Sequence, residues 1–183
     1  MKKIPLLLAL FLTAIFTVFS QEEPSNRFTA GLEQDVLPYV TGGYFAGIWA
    51  GKGHIRGRAL LVRVHKPDFI LPAGFSNNRV TAIALVGDYF LRKNWKGWWA
   101  GAGIVYWKNT IQTDAHIQTA SFDQYLLNGS LGYSWKFWRN FYLSPWAGLH
   151  LQIAGDKEVP VGGKIFHPPL LNPEASLKFG WHF

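Results

Sequence analysis

The sequence predicts an all-β fold, an eight-stranded antiparallel up-and-down transmembrane β-barrel, and three observations lead to it. From Arg27 onward apolar residues recur at every second position, the period of strands whose two faces differ. The connections between these segments alternate in length, as in barrels whose short turns and long loops lie on opposite sides of a membrane. The chain ends on the aromatic residue Phe183, where a water-soluble domain would usually carry polar, frayed residues.

The N-terminal segment, residues 1–20, is predicted to be a secretory signal peptide. Lys2 and Lys3 precede an apolar run from Ile4 to Phe19, and Ser20 fits a cleavage before Gln21. A retained anchor is the less favoured alternative, because the run is shorter than the roughly 20 residues that a helix needs to cross a membrane. Residues 21–183 are expected to form one outer-membrane β-barrel domain. The chain contains no cysteine, so it has no disulfide, thiolate metal site or lipidated cysteine.

The strands follow from the alternation itself. It is clearest in "YLLNGSLGYSW", where large apolar residues alternate with Asn128, Ser130 and Gly132. The first hairpin, through "VLPYVTGG", is short for an outer loop and contains a proline. The predicted strands are 27–35, 43–50, 55–65, 79–91, 97–108, 119–135, 141–153 and 172–183.

The polar faces of these strands decide between a barrel and a sandwich. They are rich in Gly, Ser and Asn rather than in the Lys and Glu that usually cover a solvated sheet. Small polar residues suit the crowded interior of a narrow barrel, so the apolar faces are expected to contact lipid. The links at "GKGH", "RKNW" and "KFWRN" are short and predict periplasmic turns, whereas the other links are longer and predict outer loops. Seven of the nine Trp fall near the predicted periplasmic end and are expected to form an aromatic girdle, namely Trp49, Trp95, Trp98, Trp99, Trp135, Trp138 and Trp181.

The last strand is expected to pair with the first and to close the barrel. Its alternating Phe179, Trp181 and Phe183 resemble the C-terminal signal by which the outer-membrane assembly machinery recognises its clients. The whole of residues 21–183 resembles small barrels of the OmpA, OmpX and OmpW type, and its aromatic-rich composition is similar to that of barrels from Bacteroidetes. This resemblance implies the outer membrane of a Gram-negative bacterium. It also implies contact with outer-membrane lipids and lipopolysaccharide, and handling by the barrel assembly machinery.

Ionisable residues recur on the predicted inner faces. In a narrow lumen they are expected to form a plug of salt bridges, since buried charges must find partners and the space only just admits side chains. A gated, water-lined path is the alternative. The predicted interior network consists of Glu33, Asp35, Arg56, Arg58, Asp88 and Lys178.

The candidate catalytic pair is His150 with Glu174, which the pattern places on adjacent strands, facing inward near the outer mouth. A carboxylate can orient a histidine as a general base. Outer-membrane lipid A deacylases carry His-x-Ser on one strand, but here Gln152 stands two residues after His150. The alternative is a hydrogen-bonded interior pair without catalytic function, and this is favoured.

Other ligands are not indicated. The histidines lack the paired spacing of a metal site, no phosphate-binding loop is present, and no cofactor is expected. Without Lys2 and Lys3 the 18 basic residues fall to 16 against 11 acidic ones, a mild excess that does not predict nucleic-acid binding.

Three functions follow. A non-enzymatic barrel with a filled lumen, which stabilises the envelope or presents its loops to an envelope protein, is preferred. The alternatives are an acyl hydrolase of lipid A or phospholipid, and a conduit for small hydrophobic molecules. In the conduit the molecules would leave sideways through the wall, as the OmpW resemblance implies, and apolar loops such as "FILPAGF" at 69–75 would line the mouth.

Overall fold

The structure, a computed structural model, describes residues 27–115 and 118–183. The predicted signal peptide, residues 1–20, lies outside the described residues. The elements are β1 (Thr29–Asp35), α1 (Val36–Val40), β2 (Tyr44–Lys52), β3 (Ile55–His65), a 3₁₀ turn (Asp68–Ile70), β4 (Phe75–Phe90), β5 (Gly97–Thr113), β6 (Thr119–Trp138), β7 (Phe141–Gly155), β8 (Val159–Val161), β9 (Lys164–Phe166) and β10 (Leu171–His182).

Eight of these strands close into one antiparallel barrel in the order β1-β10-β7-β6-β5-β4-β3-β2. The last strand pairs with the first, from Gly31 opposite His182 to Asp35 opposite Lys178, so the predicted barrel and its closure are confirmed. The short strands β8 and β9 form a separate hairpin inside the last long loop. No helix in the described part of the chain is long and apolar enough to cross a membrane.

The outer face of the barrel is an apolar band. Ile83, Leu85 and Ile104 are exposed on adjacent strands, as the period-two pattern predicts. Towards the long loops the band ends at Arg63 and Lys108, which are exposed on either side of Thr81 in the strand register. Basic side chains at this level suit the boundary between hydrocarbon and lipid head groups.

The tryptophans correct the predicted girdle. Trp98, Trp135 and Trp138 are exposed on the outer face near the short turns. Trp49, Trp95 and Trp99 are instead buried, and the girdle prediction is wrong for them. The reason is the alternation itself, because neighbours in a strand such as Trp98 and Trp99 point to opposite faces.

The barrel wall is incomplete beside β1. Its ladder with β10 stops at Asp35 opposite Lys178, and its ladder with β2 stops at Glu33 opposite Gly47. Above these pairs β10 continues through Leu177 to Leu171, where β7 is its only strand partner among the described residues. The helix α1 takes the place that a longer β1 would have filled. The proline-containing first loop is therefore part of the wall.

Candidate functional site: the barrel lumen

A charged network fills the lower lumen, on the side of the short turns. The Arg56 guanidinium donates to Asp88 Oδ2 at 2.8 Å and to Glu33 Oε2 at 3.2 Å. Arg58 donates to the other oxygens of the same two carboxylates, at 2.8 Å and 3.0 Å. Lys178 Nζ lies 3.7 Å from Glu33 Oε1. The side chains of Glu33 and Asp88 are 0% exposed, and such burial is tolerable only because both are fully paired.

Aromatic rings surround this network. The Arg56 guanidinium carbon lies 5.4 Å from the Trp49 ring centroid and 5.0 Å from that of Phe90, distances at which a cation is attracted to a ring face. The Tyr142 hydroxyl donates to Glu33 Oε2 at 2.8 Å. Trp99 lies beside Phe90 and is buried with it. Charges and rings together form a packed floor, which we call the lumen floor.

Glycines on the inner face make room for these rings. A Cβ placed on Gly180 would lie 2.0 Å from the Tyr142 ring, and one on Gly132 would lie 2.4 Å from the Trp99 ring. No side chain fits at such distances. These inward-facing glycines therefore provide the space into which large side chains from neighbouring strands pack.

The sixth predicted network residue, Asp35, lies apart from the arginines. It accepts a hydrogen bond from Trp146 Nε1 at 2.8 Å and one from the Ser176 hydroxyl, and its Oδ1 also accepts from the Leu37 amide at 3.1 Å. Asp35 thus joins the end of β1, the start of α1 and the upper half of β10. All six predicted residues lie in the lumen, but only five meet in the floor.

Above the floor the lumen is open, and the prediction of a filled lumen is wrong for this upper part. A cavity of about 550 Å³ extends from Arg58 and Lys178 to the outer loops. One wall is apolar because β3, β4 and β5 turn apolar side chains inward as well as outward, and the alanines among them leave space. Its members are Leu60, Val62, Val64, Val80, Ala82, Ala84, Val86 and Val105.

The opposite wall is polar and carries the predicted pair. His150 Nε2 lies 3.0 Å from Glu174 Oε2, so the two residues meet as the strand pattern placed them. No serine hydroxyl in residues 27–115 and 118–183 hydrogen-bonds to His150. Ser144 accepts from Trp99 Nε1, and Ser176 bonds to Asp35. Within the described residues, the pair therefore has no serine nucleophile hydrogen-bonded to it, such as an acyl hydrolase uses.

Lys66 and Asn172 of the polar wall were not predicted from the sequence. Lys66, just beyond β3, donates to Asn172 Oδ1 at 3.1 Å and lies over the Trp107 ring at 4.6 Å from its centroid. The His150 ring lies 5.1 Å from the same Trp107 ring. A lysine that follows a strand normally reaches solvent, and only the three-dimensional closure of the barrel turns this one inward.

The proposed assembly residues lie on the last strand. Phe179 and Phe183 are exposed on the outer face, and Trp181 packs against Phe183 with ring centroids 4.4 Å apart. Phe179 stacks on Phe141 of β7 at 5.5 Å. This aromatic edge faces the lipid side of the barrel, and its role in assembly remains a prediction.

No protein-family model matches the chain, and no curated protein matches it in sequence. Among solved structures it is similar to the N-terminal β-barrel domain of Pseudomonas aeruginosa OprF, with a TM-score of 0.57 and 13% identity over 88% of this chain and 100% of that one. It is also similar to a major outer membrane protein from Thermus thermophilus, with a TM-score of 0.56 and 12% identity over 86% of this chain and 100% of that one. The chain thus has the fold of a small outer-membrane β-barrel.

Proposed function

We propose that the protein is an outer-membrane barrel of a Gram-negative bacterium that takes small hydrophobic molecules into its upper lumen. The observation that carries the proposal is the cavity of about 550 Å³ with an apolar wall. This volume lies within the range of known ligand pockets, which are mostly apolar with a few polar groups. We do not propose the acyl-hydrolase activity, because in the described part of the chain no serine hydroxyl is hydrogen-bonded to His150 or Glu174.

The lumen floor argues for a chamber rather than a pore. Trp99 and Phe90 are 1% and 0% exposed, and the side chains of Arg56 and Arg58 between the rings are 2% exposed. An ion crossing this layer would have to separate buried charge pairs, which is strongly unfavourable. A molecule that enters from outside must therefore leave by the mouth or through the wall.

The incomplete wall at α1 supports exchange with the outer leaflet. Phe183 N–H donates to Ala30 O at 2.9 Å, whereas His182 N–H donates to Asn140 O on the other side. Because this direction alternates along a strand, the N–H and C=O groups of odd-numbered residues of β10 point towards the side of β1. Higher in the strand, the odd-numbered Ala175 and Leu177 lie beyond the last residue pair with β1, and Pro173 has no N–H to satisfy.

The helix α1 is tied to β10 through side chains. The Leu37 amide donates to Ser176 Oγ at 3.2 Å, next to the bond between Ser176 and Asp35. Leu37 and Pro38 line the cavity, whereas Val36 and Val40 are exposed outside. We infer that displacing α1 connects the cavity with lipid, because among the described residues α1 is linked to β10 by the bond between Leu37 and Ser176 and not by a strand ladder.

Uptake is tested by equilibrium dialysis of radiolabelled dodecanol against the protein held in amphipol, which avoids competing detergent. Saturable binding of one molecule per barrel is expected, and Ala84→Trp, which fills the apolar wall, should abolish it. Ala102→Trp is the matched control, because Ala102 is exposed on the outer face of β5. Equal binding by wild type and Ala84→Trp would refute the chamber.

The wall route is tested by a disulfide between Leu37→Cys and Ser176→Cys, which the cysteine-free chain makes specific. Oxidation should slow the exchange of dodecanol between protein-containing vesicles and empty ones, and reduction should restore it. An exchange rate that does not respond to the disulfide would rule out the route beside α1.

A second candidate function, the binding of an envelope protein by the outer loops, is favoured by one observation. Phe69 is 87% exposed and Ile70 next to it is also exposed, at a level beyond the apolar band. A photo-crosslinking amino acid at position 69 tests it in cells. A discrete adduct that Ile70→Ser abolishes is expected, and crosslinks to lipopolysaccharide alone would contradict it.

A further inference from the structure

We infer that the upper lumen contains a head-group site for a carboxylate, formed by Lys66, Asn172 and His150, and that the occupant of the cavity is an amphipathic acid. The inference rests on the proposed uptake of hydrophobic molecules and names their chemical class. Three observations carry it, concerning the lysine, the histidine and the placement of the site above the apolar wall.

Lys66 is a half-buried cation that has no carboxylate within ion-pair distance among the described residues. Its Nζ bonds to the amide oxygen of Asn172 and lies over the Trp107 ring. Within the described residues no carboxylate lies within 4.0 Å of it, in contrast to the arginines of the lumen floor. Burial lowers the pKa of Lys66 to about 8, while the Glu174 carboxylate acts in the opposite direction. An anion bound beside Nζ would stabilise the charged form.

His150 contributes a second polar atom that lacks a partner. Its Nε2 is paired with Glu174, and its Nδ1 is buried with no hydrogen bond in the described structure. His150 lies directly opposite Asn172 in the ladder between β7 and β10. Lys66, Asn172 and His150 therefore converge on one edge of the cavity around the Trp107 ring. An unsatisfied buried polar atom is unfavourable. Because Nε2–H donates to the Glu174 carboxylate, Nδ1 of the neutral ring is an acceptor, and a bound carboxylate reaches it through a bridging water that donates to both.

The surroundings select the charge and shape of the occupant. A cationic head is disfavoured by Lys66, and a dianionic phosphate is disfavoured by Glu174, whose side chain is 31% exposed at the same edge. A carboxylate with a single negative charge fits both constraints. From this edge the apolar wall runs down β4 from Val80 to Val86, so an acyl or aromatic body can lie along it above the floor.

The test compares two probes with the same chain, dodecanoate and dodecanol, by equilibrium dialysis against the protein in amphipol at pH 7. Wild type should bind dodecanoate about tenfold more tightly than dodecanol, the gain expected of one charge-assisted hydrogen bond. Lys66→Met should abolish this preference without weakening dodecanol binding. Lys157→Met, at an exposed loop lysine, is the matched control and should behave as wild type.

The outcomes separate the two claims. If neither probe binds, the proposed chamber fails and the head-group site fails with it. If wild type binds both probes equally, or if Lys66→Met retains the preference for dodecanoate, the head-group site is refuted while the chamber stands. Heat-modifiable migration in gels confirms that each variant is folded. Lys66→Gln, which keeps a donor for Asn172 but loses the charge, replaces Lys66→Met should that variant not fold, and the same loss of preference is expected.

Discussion

Glu33→Gln is the sharpest test of the lumen floor. The Glu33 carboxylate accepts from Arg56 at 3.2 Å, from Arg58 at 3.0 Å and from Tyr142 at 2.8 Å. The amide keeps the size of the side chain but removes the charge, so both guanidiniums must share Asp88. Removing one partner of a fully buried ion pair typically costs about 3–5 kcal/mol. We expect the free energy of unfolding, measured by urea denaturation in lipid vesicles, to fall by that amount.

The control and the rescue make the result specific. Glu158→Gln makes the same chemical change at an exposed loop residue and should alter the free energy of unfolding by less than about 0.5 kcal/mol. The double variant Glu33→Gln with Lys178→Met should recover part of the loss, because it removes the cation that lies 3.7 Å from Glu33. A loss for Glu33→Gln no larger than that of Glu158→Gln would show that the network does not hold the floor together.

Three further predictions concern the glycines packed against aromatic rings, the lumen floor and the head-group site. Gly180→Ala should lower the free energy of unfolding by about 1–3 kcal/mol, because its Cβ would overlap the Tyr142 ring. Gly129→Ala is the control and should be nearly neutral, because the space around Gly129 is open. Equal effects of the two substitutions would contradict the tight packing of Tyr142 against Gly180. The refolded protein should show no steady single-channel conductance in a planar bilayer, and discrete openings would mean that the floor conducts. Dodecanoate affinity should fall as the pH rises through about 8, because Lys66 then loses its proton and no longer neutralises the bound anion. Dodecanol affinity should stay flat over the same pH range, and a flat dodecanoate profile would contradict the site.

The barrel was predictable from the sequence because lipid and lumen impose opposite demands on alternate residues. In β6, Leu127 and Leu131 face outward and Asn128 faces inward, as the pattern in "YLLNGSLGYSW" required. The six ionisable residues of the lumen were predictable for the same reason, since a charge on the lipid face would be costly. Pairing within the network depends on the register between strands, which no local pattern contains.

The incomplete wall could not be predicted in this way. The segment from Val36 to Val40 is apolar with one proline, and it reads equally well as a short outer loop. What makes it part of the wall is a difference in length: β1 has 7 residues and β10 has 12, so one strand ends while its neighbour continues. Such a difference appears only when both strands are placed in register.

The cavity escaped prediction for a reason that also bears on function. In β4 the inward Ala82, Ala84 and Val86 alternate with the outward Ile83 and Leu85, so both faces are apolar and the period of two is lost. A lumen surface that merely contacts water would be polar. A lumen that merely needs packing would be closed by larger side chains, as the floor is.

An open space beside an apolar wall suits neither a water-filled lumen nor a packed one. The apolar side chains that line it are poorly hydrated, and they also lack van der Waals contacts on the side of the cavity. The polar wall opposite does not restore the balance, since among the described residues Lys66 has no carboxylate within ion-pair distance and His150 Nδ1 has no hydrogen-bond partner. Larger residues at Ala82 and Ala84 would remove the space without disturbing the outer face. That the chain keeps small residues there, below a half-buried lysine, is best explained by an occupant with an apolar body and an acidic head.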